Sequence, residues 1–347
     1  MGGRRSPTAA IQFGQIGIYQ VRRQSGRPTL LGISRIKPIG TTGVMLICLI
    51  AGISPQFSNS RAQTRTADQH SSIRVEVNLV SVIASVLDQN NRPVPDLQRE
   101  QFEIYEESKP QKIESFEPDT QQPLDLALMI DSSLSEIKEL QFEAEAAARF
   151  IAQVVRPEDR VGVFQFADTV TQLAAFSGNV PQLQAAVRHV SPGDGTALYD
   201  AVYLGSDALG KAPSDRRKVL ILITDAGETT SRADFETARR AALRAEALLY
   251  TIVIRPVKGE NGRNTAGEHA LETIADSTGG AMYYPEELSQ LDAIFDRINR
   301  ELRTQYRLGY YPQPRPPQGV YRSIEVRIKG NYKVRYRKSY YSGGPAN

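Results

Sequence analysis

Short apolar segments alternate with amphipathic helical patterns between residues 124 and 303, and this alternation constrains the fold most strongly. The segments lack a polar face, which predicts strands that are buried on both sides. Repeated strand–helix units are typical of a parallel sheet covered by helices. We therefore predict an α/β fold with a doubly wound, mostly parallel, Rossmann-like sheet and helices on both faces. Strands are predicted at 126–130, 161–166, 219–223, 249–254 and 282–284, and helices at 136–155, 197–210, 232–247, 267–278 and 288–303. The glutamates of the first helix are expected on a solvated face.

The segments that flank this region have the alternating, β-branched pattern of strands with one solvated face. The predicted flanking strands are 74–86, 101–106, 111–116, 306–311, 321–329 and 332–341. We predict that residues 72–120 and 304–341 pair into one small β unit, and that residues 124–303 form a domain inserted into it. The opposite charges of the acidic stretch Glu103–Glu107 and the basic stretch Lys333–Lys338 agree with a pairing of the two flanks but do not establish it.

Residues 1–62 have the features of a targeting segment. Residues 1–38 are basic and contain no acidic residue, and the apolar run that follows reaches Ile53. Its length of about 15 residues suits the core of a signal peptide better than a membrane span, which needs about 20. Ser60-Arg-Ala62 is an acceptable cleavage site. We expect a protein that is periplasmic, secreted or, if the segment stays uncleaved, anchored at the outer face of the inner membrane.

Charge and composition exclude several classes of function. Residues 68–296 contain 21 basic and 37 acidic residues, and this acidic body argues against nucleic acid as a partner. The basic alternation at 321–329 is the pattern of a strand with a solvated face. The single Cys rules out an internal disulfide framework and a thiolate zinc site, and the three His follow no metal-binding pattern.

Hydroxyl and carboxylate side chains follow the predicted strands of the central domain. Asp131, Ser133 and Ser135 come directly after the first strand, Thr196 precedes a helix, and Asp225 follows the third strand. Ligands of doubly wound sheets collect at the carboxyl ends of the strands. In an extended segment, residues i, i+2 and i+4 point to one side. These hard oxygen donors suit Mg²⁺, Mn²⁺ or Ca²⁺ rather than zinc. A simple helix N-cap is the alternative interpretation of the Asp-Ser-Ser segment.

The pattern Asp131-x-Ser133-x-Ser135 with Thr196 and Asp225 resembles the metal-ion-dependent adhesion site of von Willebrand factor type A (VWA) domains. This resemblance covers about 124–303, and the flanks are similar to those of acidobacterial-type VWA-related exported proteins of bacteria. It implies that Asp131, Ser133 and Ser135 are loop ligands of a divalent cation, with Mg²⁺ the first choice and Mn²⁺ or Ca²⁺ the alternatives. Thr196 would bind the cation directly, and Asp225 directly or through water.

Three further residues bear on the implied site. Ala226 departs from the family pattern, which often has glycine directly after the aspartate. If the residue at this position needs a positive φ, the geometry of Asp225 comes into doubt. Asp200 and Glu228 are expected only to support the site.

The leading functional hypothesis is an exported, non-enzymatic protein-binding module. One or two carboxylates leave the charge of a divalent ion under-compensated, so that an Asp or Glu of a protein partner can displace one of its waters. No nucleic acid is expected, and a membrane only through an uncleaved N-terminal anchor. The alternative is a structural scaffold with a vestigial or stabilising metal site. A metal-dependent hydrolase is disfavoured, because the motif has no candidate base, His or nucleophile nearby.

Overall fold

The computed structural model describes residues 79–118, 121–133, 137–213, 215–254 and 264–343. The predicted targeting segment 1–62 lies outside these ranges, as do the first five residues of the predicted strand 74–86. The strands are β1 (Val80–Leu87), β2 (Phe102–Glu106), β3 (Lys109–Gln111), β4 (Ile113–Glu117), β5 (Leu124–Asp131), β6 (Arg160–Phe166), β7 (Val170–Ser177), β8 (Arg217–Thr224), β9 (Ala247–Val253), β10 (Ala281–Tyr283), β11 (Tyr306–Tyr310), β12 (Tyr321–Ile328), β13 (Lys333–Tyr336) and β14 (Ser339–Tyr341). The helices are α1 (Ile137–Val154), α2 (Val180–Val187), α3 (Leu198–Gly210), α4 (Phe235–Ala245), α5 (Thr265–Thr278) and α6 (Leu291–Arg303).

The central sheet has the strand order β10-β9-β8-β5-β6-β7. Every neighbouring pair is parallel except β6 and β7. All eight residues of β5 are buried, as expected for a strand covered on both faces. Its even-numbered residues from 124 to 130 pack with α1, α2 and α6, whereas Ala127 and Met129 pack with α3, α4 and α5. The predicted fold class is therefore confirmed.

Two elements between residues 166 and 198 were not predicted, namely β7 and α2. Only three residues separate β6 from β7, which is too short for a helical crossover, so that β7 returns antiparallel at the sheet edge. Helix α2 has eight residues and carries a proline in its first turn. Both elements are short or only partly buried, and their periodicity is correspondingly weak.

The flanking segments form two antiparallel sheets, with orders β13-β1-β11-β4 and β14-β12-β2-β3. One hydrophobic cluster joins them, and it includes Val82, Ile104, Tyr306 and Val326. The predicted β unit built from N- and C-terminal strands is confirmed. Strands β4 and β11 are neighbours in one sheet, and the whole central domain lies between them in the sequence.

One detail of this β unit differs from prediction. Residues 332–341 are not one strand but β13 and β14, which lie in different sheets. The acidic stretch Glu103–Glu107 and the basic stretch Lys333–Lys338 lie on strands that are not neighbours, because β2 pairs with β12 and β3, whereas β13 pairs with β1. The buried carboxylate of Glu106 instead accepts a hydrogen bond from Arg322 Nε on β12, at 3.1 Å.

A buried polar network links the central domain to the β unit. Glu301 of α6 accepts a hydrogen bond from the Tyr250 hydroxyl at 2.7 Å and pairs with Arg335 of β13. Gln305 Nε2 donates to Ser85 Oγ of β1 at 3.0 Å. Burial and the charge of Glu301 raise the pKa of the Tyr250 hydroxyl well above its ordinary value, so that it stays a donor. The last helix is thus fastened to strands of both units.

Helices within the described ranges are too short or too polar to cross a membrane.

Candidate functional site

The predicted site residues that the structure describes lie at the carboxyl edge of the central sheet. Asp131 is the last residue of β5, and Asp225 directly follows β8. These two strands are adjacent and parallel, with Ile130 opposite Ile223, so that both carboxylates emerge at the same edge. Thr196 lies in the loop that leads into α3. Ser135 lies outside the described residues.

Asp131 is completely buried and is held by hydroxyl groups on both of its oxygens. Oδ1 accepts hydrogen bonds from Ser133 N at 3.0 Å and from Ser133 Oγ at 2.5 Å. Oδ2 accepts from Thr224 Oγ1 at 2.6 Å. Burial raises the pKa of the Asp131 carboxyl to about 6; these hydrogen bonds act against the rise, and the charge of Asp225 adds to it. A cation beside Asp131 would lower the pKa of this carboxyl and favour its ionised form.

The loop that carries Thr196 is tied to the loops that carry the two aspartates. Thr196 N donates to Thr229 Oγ1 at 2.8 Å, and its carbonyl oxygen accepts from Thr229 N at 2.9 Å. Gly193 N donates to the Ser132 carbonyl oxygen at 2.9 Å. Thr196 itself is buried. Backbone hydrogen bonds therefore set its position relative to both strand ends.

Gly227 shows how close Thr196 and Asp225 come to each other. A methyl group built on its Cα would lie 2.9 Å from Asp225 Oδ1 and 3.4 Å from Thr196 Oγ1. Both oxygens therefore face one small space, which a larger residue at this position would fill. Gly227 N also donates to Asp225 Oδ1 at 2.7 Å, which orients the carboxylate.

Ala226, between this glycine and Asp225, has a φ of 64°. This left-handed conformation is unfavourable for a residue with a side chain and is found most often at functional sites. Ala226 N donates to Thr224 Oγ1 at 3.0 Å, so that the same hydroxyl links Asp131 to the strained turn. Despite the positive φ, Asp225 lies beside Thr196.

Asp200 and Glu228 form hydrogen bonds between the start of α3 and the loop after β8. Asp200 accepts hydrogen bonds from Arg232 N and Ala233 N, and Glu228 accepts from Tyr199 N and from Ser231. They hold the loop after β8 on the start of α3, which is consistent with a supporting role.

Three residues near the site were missed by the sequence reasoning. Thr224 directly follows the predicted apolar strand 219–223. Asn264, at the start of α5, donates a hydrogen bond of 3.3 Å to the Asp225 carbonyl oxygen. Glu143 of α1 is fully buried, which contradicts the expectation that the glutamates of this helix are solvated. Its position three residues after Leu140 and four before Ala147, on the sheet-facing stripe, was the available signal.

The donor set fits a hard divalent cation. Among the described residues, the charge of Asp225 acts on Asp131, and the charges of Asp131, Glu139 and Asp225 act on Glu143. Within the described ranges, no three His, Cys, Asp or Glu side chains are grouped so as to hold a metal. A site made of two carboxylates and several hydroxyls does not need such a group, and it leaves an ion open to further ligands.

Residues 126–228 match the sequence profile of the von Willebrand factor type A domain. The central domain is a VWA domain. The matched range includes β5 to β8 and every predicted site residue. No curated protein matches the chain.

Solved structures similar to the chain include several bacterial proteins. A von Willebrand factor type A protein from Catenulispora acidiphila is 12% identical, with a TM-score of 0.45, over 76% of this chain and 73% of its own. The conserved hypothetical protein BatB from Bacteroides thetaiotaomicron is 16% identical, with a TM-score of 0.39, over 51% and 98%. An aerotolerance-related membrane protein from Bacteroides fragilis NCTC 9343 is 19% identical, with a TM-score of 0.40, over 52% and 98%.

Proposed function

We propose that this protein is an exported, non-enzymatic interaction module whose VWA domain binds an acidic side chain of a protein partner through a divalent cation. Asp131, Ser133, Ser135, Thr196 and Asp225 would hold the cation, with Mg²⁺ preferred over Mn²⁺ and Ca²⁺. The supporting observation is the placement of Asp131, Thr196 and Asp225 at one edge of the sheet, with Thr196 Oγ1 and Asp225 Oδ1 beside the same glycine. Export is proposed from the signal-like segment within residues 1–62.

When bound, the cation would supply an electrophilic centre for a carboxylate. The chain's own residues then do the positioning: Ser132 and Thr196 fix the loops, Thr224 orients Asp131, and Gly227 leaves room beside Asp225. The Ser133 hydroxyl donates to Asp131, and the two histidines of the described ranges, His189 and His269, are both exposed and form no base for it. This arrangement favours binding over hydrolysis.

Thermal unfolding of the full chain tests the cation site. In EDTA followed by millimolar Mg²⁺, Mn²⁺ or Ca²⁺, the unfolding midpoint of the wild-type protein should rise, because a ligand of the folded state stabilises it by mass action. Asp131→Ala should abolish the rise. Asp207→Asn is the matched control, since Asp207 lies on the surface in the last turn of α3, pairs with Lys211, and should leave the rise intact. Unchanged midpoints in wild type would favour the scaffold alternative.

A further inference from the structure

Glu143 of α1 is the most unusual ionisable group within the described ranges. Its side chain is fully buried, and neither carboxylate oxygen has a hydrogen-bond partner among the residues that the structure describes. Buried polar groups in proteins are almost always hydrogen-bonded, and an isolated buried carboxyl is costly. An unmatched group of this kind calls for a specific explanation, of which a bound ion or ordered water is one.

The groups around Glu143 place its carboxyl near the predicted cation site. It lies on the face of α1 that packs against the sheet, near the end from which the Asp131 loop enters the helix. Asp131 and Asp225 are both close enough for their charges to act on Glu143, and Glu139 adds a third negative charge. Burial and these charges raise the pKa of the Glu143 carboxyl to about 8. Three described carboxylates thus act on Glu143.

We infer that Glu143 is a positioning residue of the cation site, whose carboxylate accepts hydrogen bonds from water on the bound ion. Direct ligation is not favoured, because Glu143, Asp131 and Asp225 are not grouped as three metal ligands. A water between Glu143 and the ion would satisfy the orphaned oxygens and keep two or more protein carboxylates apart. This inference rests on the proposed function, since it assumes that the cation binds at Asp131.

The consequence is that the site retains its cation before a partner arrives. Asp131 and Asp225 would hold the ion directly or through water, and Glu143 would hold one of the ion's waters. Carboxylates that bond to the ligands of a metal typically change its affinity 10–100-fold.

Calorimetric titration of the EDTA-treated full chain with Mg²⁺ and Mn²⁺ tests the inference. We expect Glu143→Gln to weaken cation binding by about tenfold or more, because the neutral amide lacks the charge. Glu143→Asp should recover part of the loss. Glu139→Gln, on the same helix but only half-buried, should stay within about twofold of wild type. The midpoint of unfolding in EDTA should rise in Glu143→Gln, since a costly buried carboxyl is removed.

The outcomes separate this inference from the proposed function. If wild type binds the cation, Asp131→Ala does not, and Glu143→Gln binds as wild type does, the role of Glu143 is refuted and the site remains. If Glu143→Asp binds no better than Glu143→Gln, the charge is not what matters, and the inference also fails. If wild type binds neither cation, the proposed function falls, and this inference falls with it.

Discussion

Replacing Glu143 by glutamine should remove most of the pH dependence of metal-free stability above about pH 6.5. The folded protein holds the pKa of Glu143 at about 8, far above the ordinary value of 4.5. Between these values the folded state keeps its proton and the unfolded chain has lost it. Unfolding therefore releases a proton, and rising pH favours the unfolded state.

The size of the effect follows from the shift. One pH unit in this window is worth about 1.4 kcal/mol, so that the wild type should lose about 2 kcal/mol of unfolding free energy between about pH 6.5 and 8. The pKa of Asp131, about 6, acts in the same direction at lower pH. Asp131 and Glu143 repel each other and titrate as a pair, so their contributions do not add. Between about pH 6.5 and 8, the change in unfolding free energy therefore reports mainly on Glu143.

Urea unfolding in EDTA, followed by circular dichroism because the chain contains no Trp, measures the effect. Wild type and Glu139→Gln should lose stability across the window, whereas Glu143→Gln should be nearly flat. Equal slopes in wild type and Glu143→Gln would refute the argument. So would a wild-type protein whose stability rises with pH.

Two further predictions concern packing. Arg335→Met should lower the unfolding free energy by about 3–5 kcal/mol, because it leaves the buried Glu301 unpaired; adding Glu301→Leu should recover much of the loss in a double-mutant cycle. Gly267→Ala should destabilise the protein by about 1–3 kcal/mol and weaken Mg²⁺ binding, because the new methyl group would lie 1.9 Å from the Ala226 carbonyl oxygen. Gly210→Ala is the control: its methyl group would lie 3.9 Å from its nearest neighbour, and neither stability nor Mg²⁺ binding should fall.

The central sheet could be predicted because strands buried on both faces have a distinctive sequence. All residues of β5 and β9 are buried, and their apolar runs stand out. Strand β7 is buried only at Val170 and Ala174, and its half-solvated side chains lack the continuous apolar pattern by which the other strands were predicted. The pairing of β1 with β11 and of β2 with β12 depends on contacts between residues more than 200 positions apart, and local pattern carries no information about them.

The candidate site was predictable to the extent that it follows strand ends. Asp131, Thr196 and Asp225 are recognisable by type and spacing, and the structure brings them to one edge. Glu143 was misjudged because neighbouring glutamates such as Glu145 are exposed, and a buried glutamate looks the same in sequence. Its burial is decided by tertiary packing of α1 and not by composition.

The insertion of the VWA domain between β4 and β11 imposes an order on folding. Val80 of β1 pairs with Tyr310 of β11, and this pairing closes a loop of more than two hundred residues. It can form only after the inserted domain has been synthesised. The sheet of the inserted domain can form from nearer neighbours while β1 still has an unpaired edge. During synthesis β1 and β4 would stay without their partner β11 until the central domain has been made. A chain that stops after α6 would contain every strand of the central sheet, while the unpaired edges of β1 and β4 invite association with other chains.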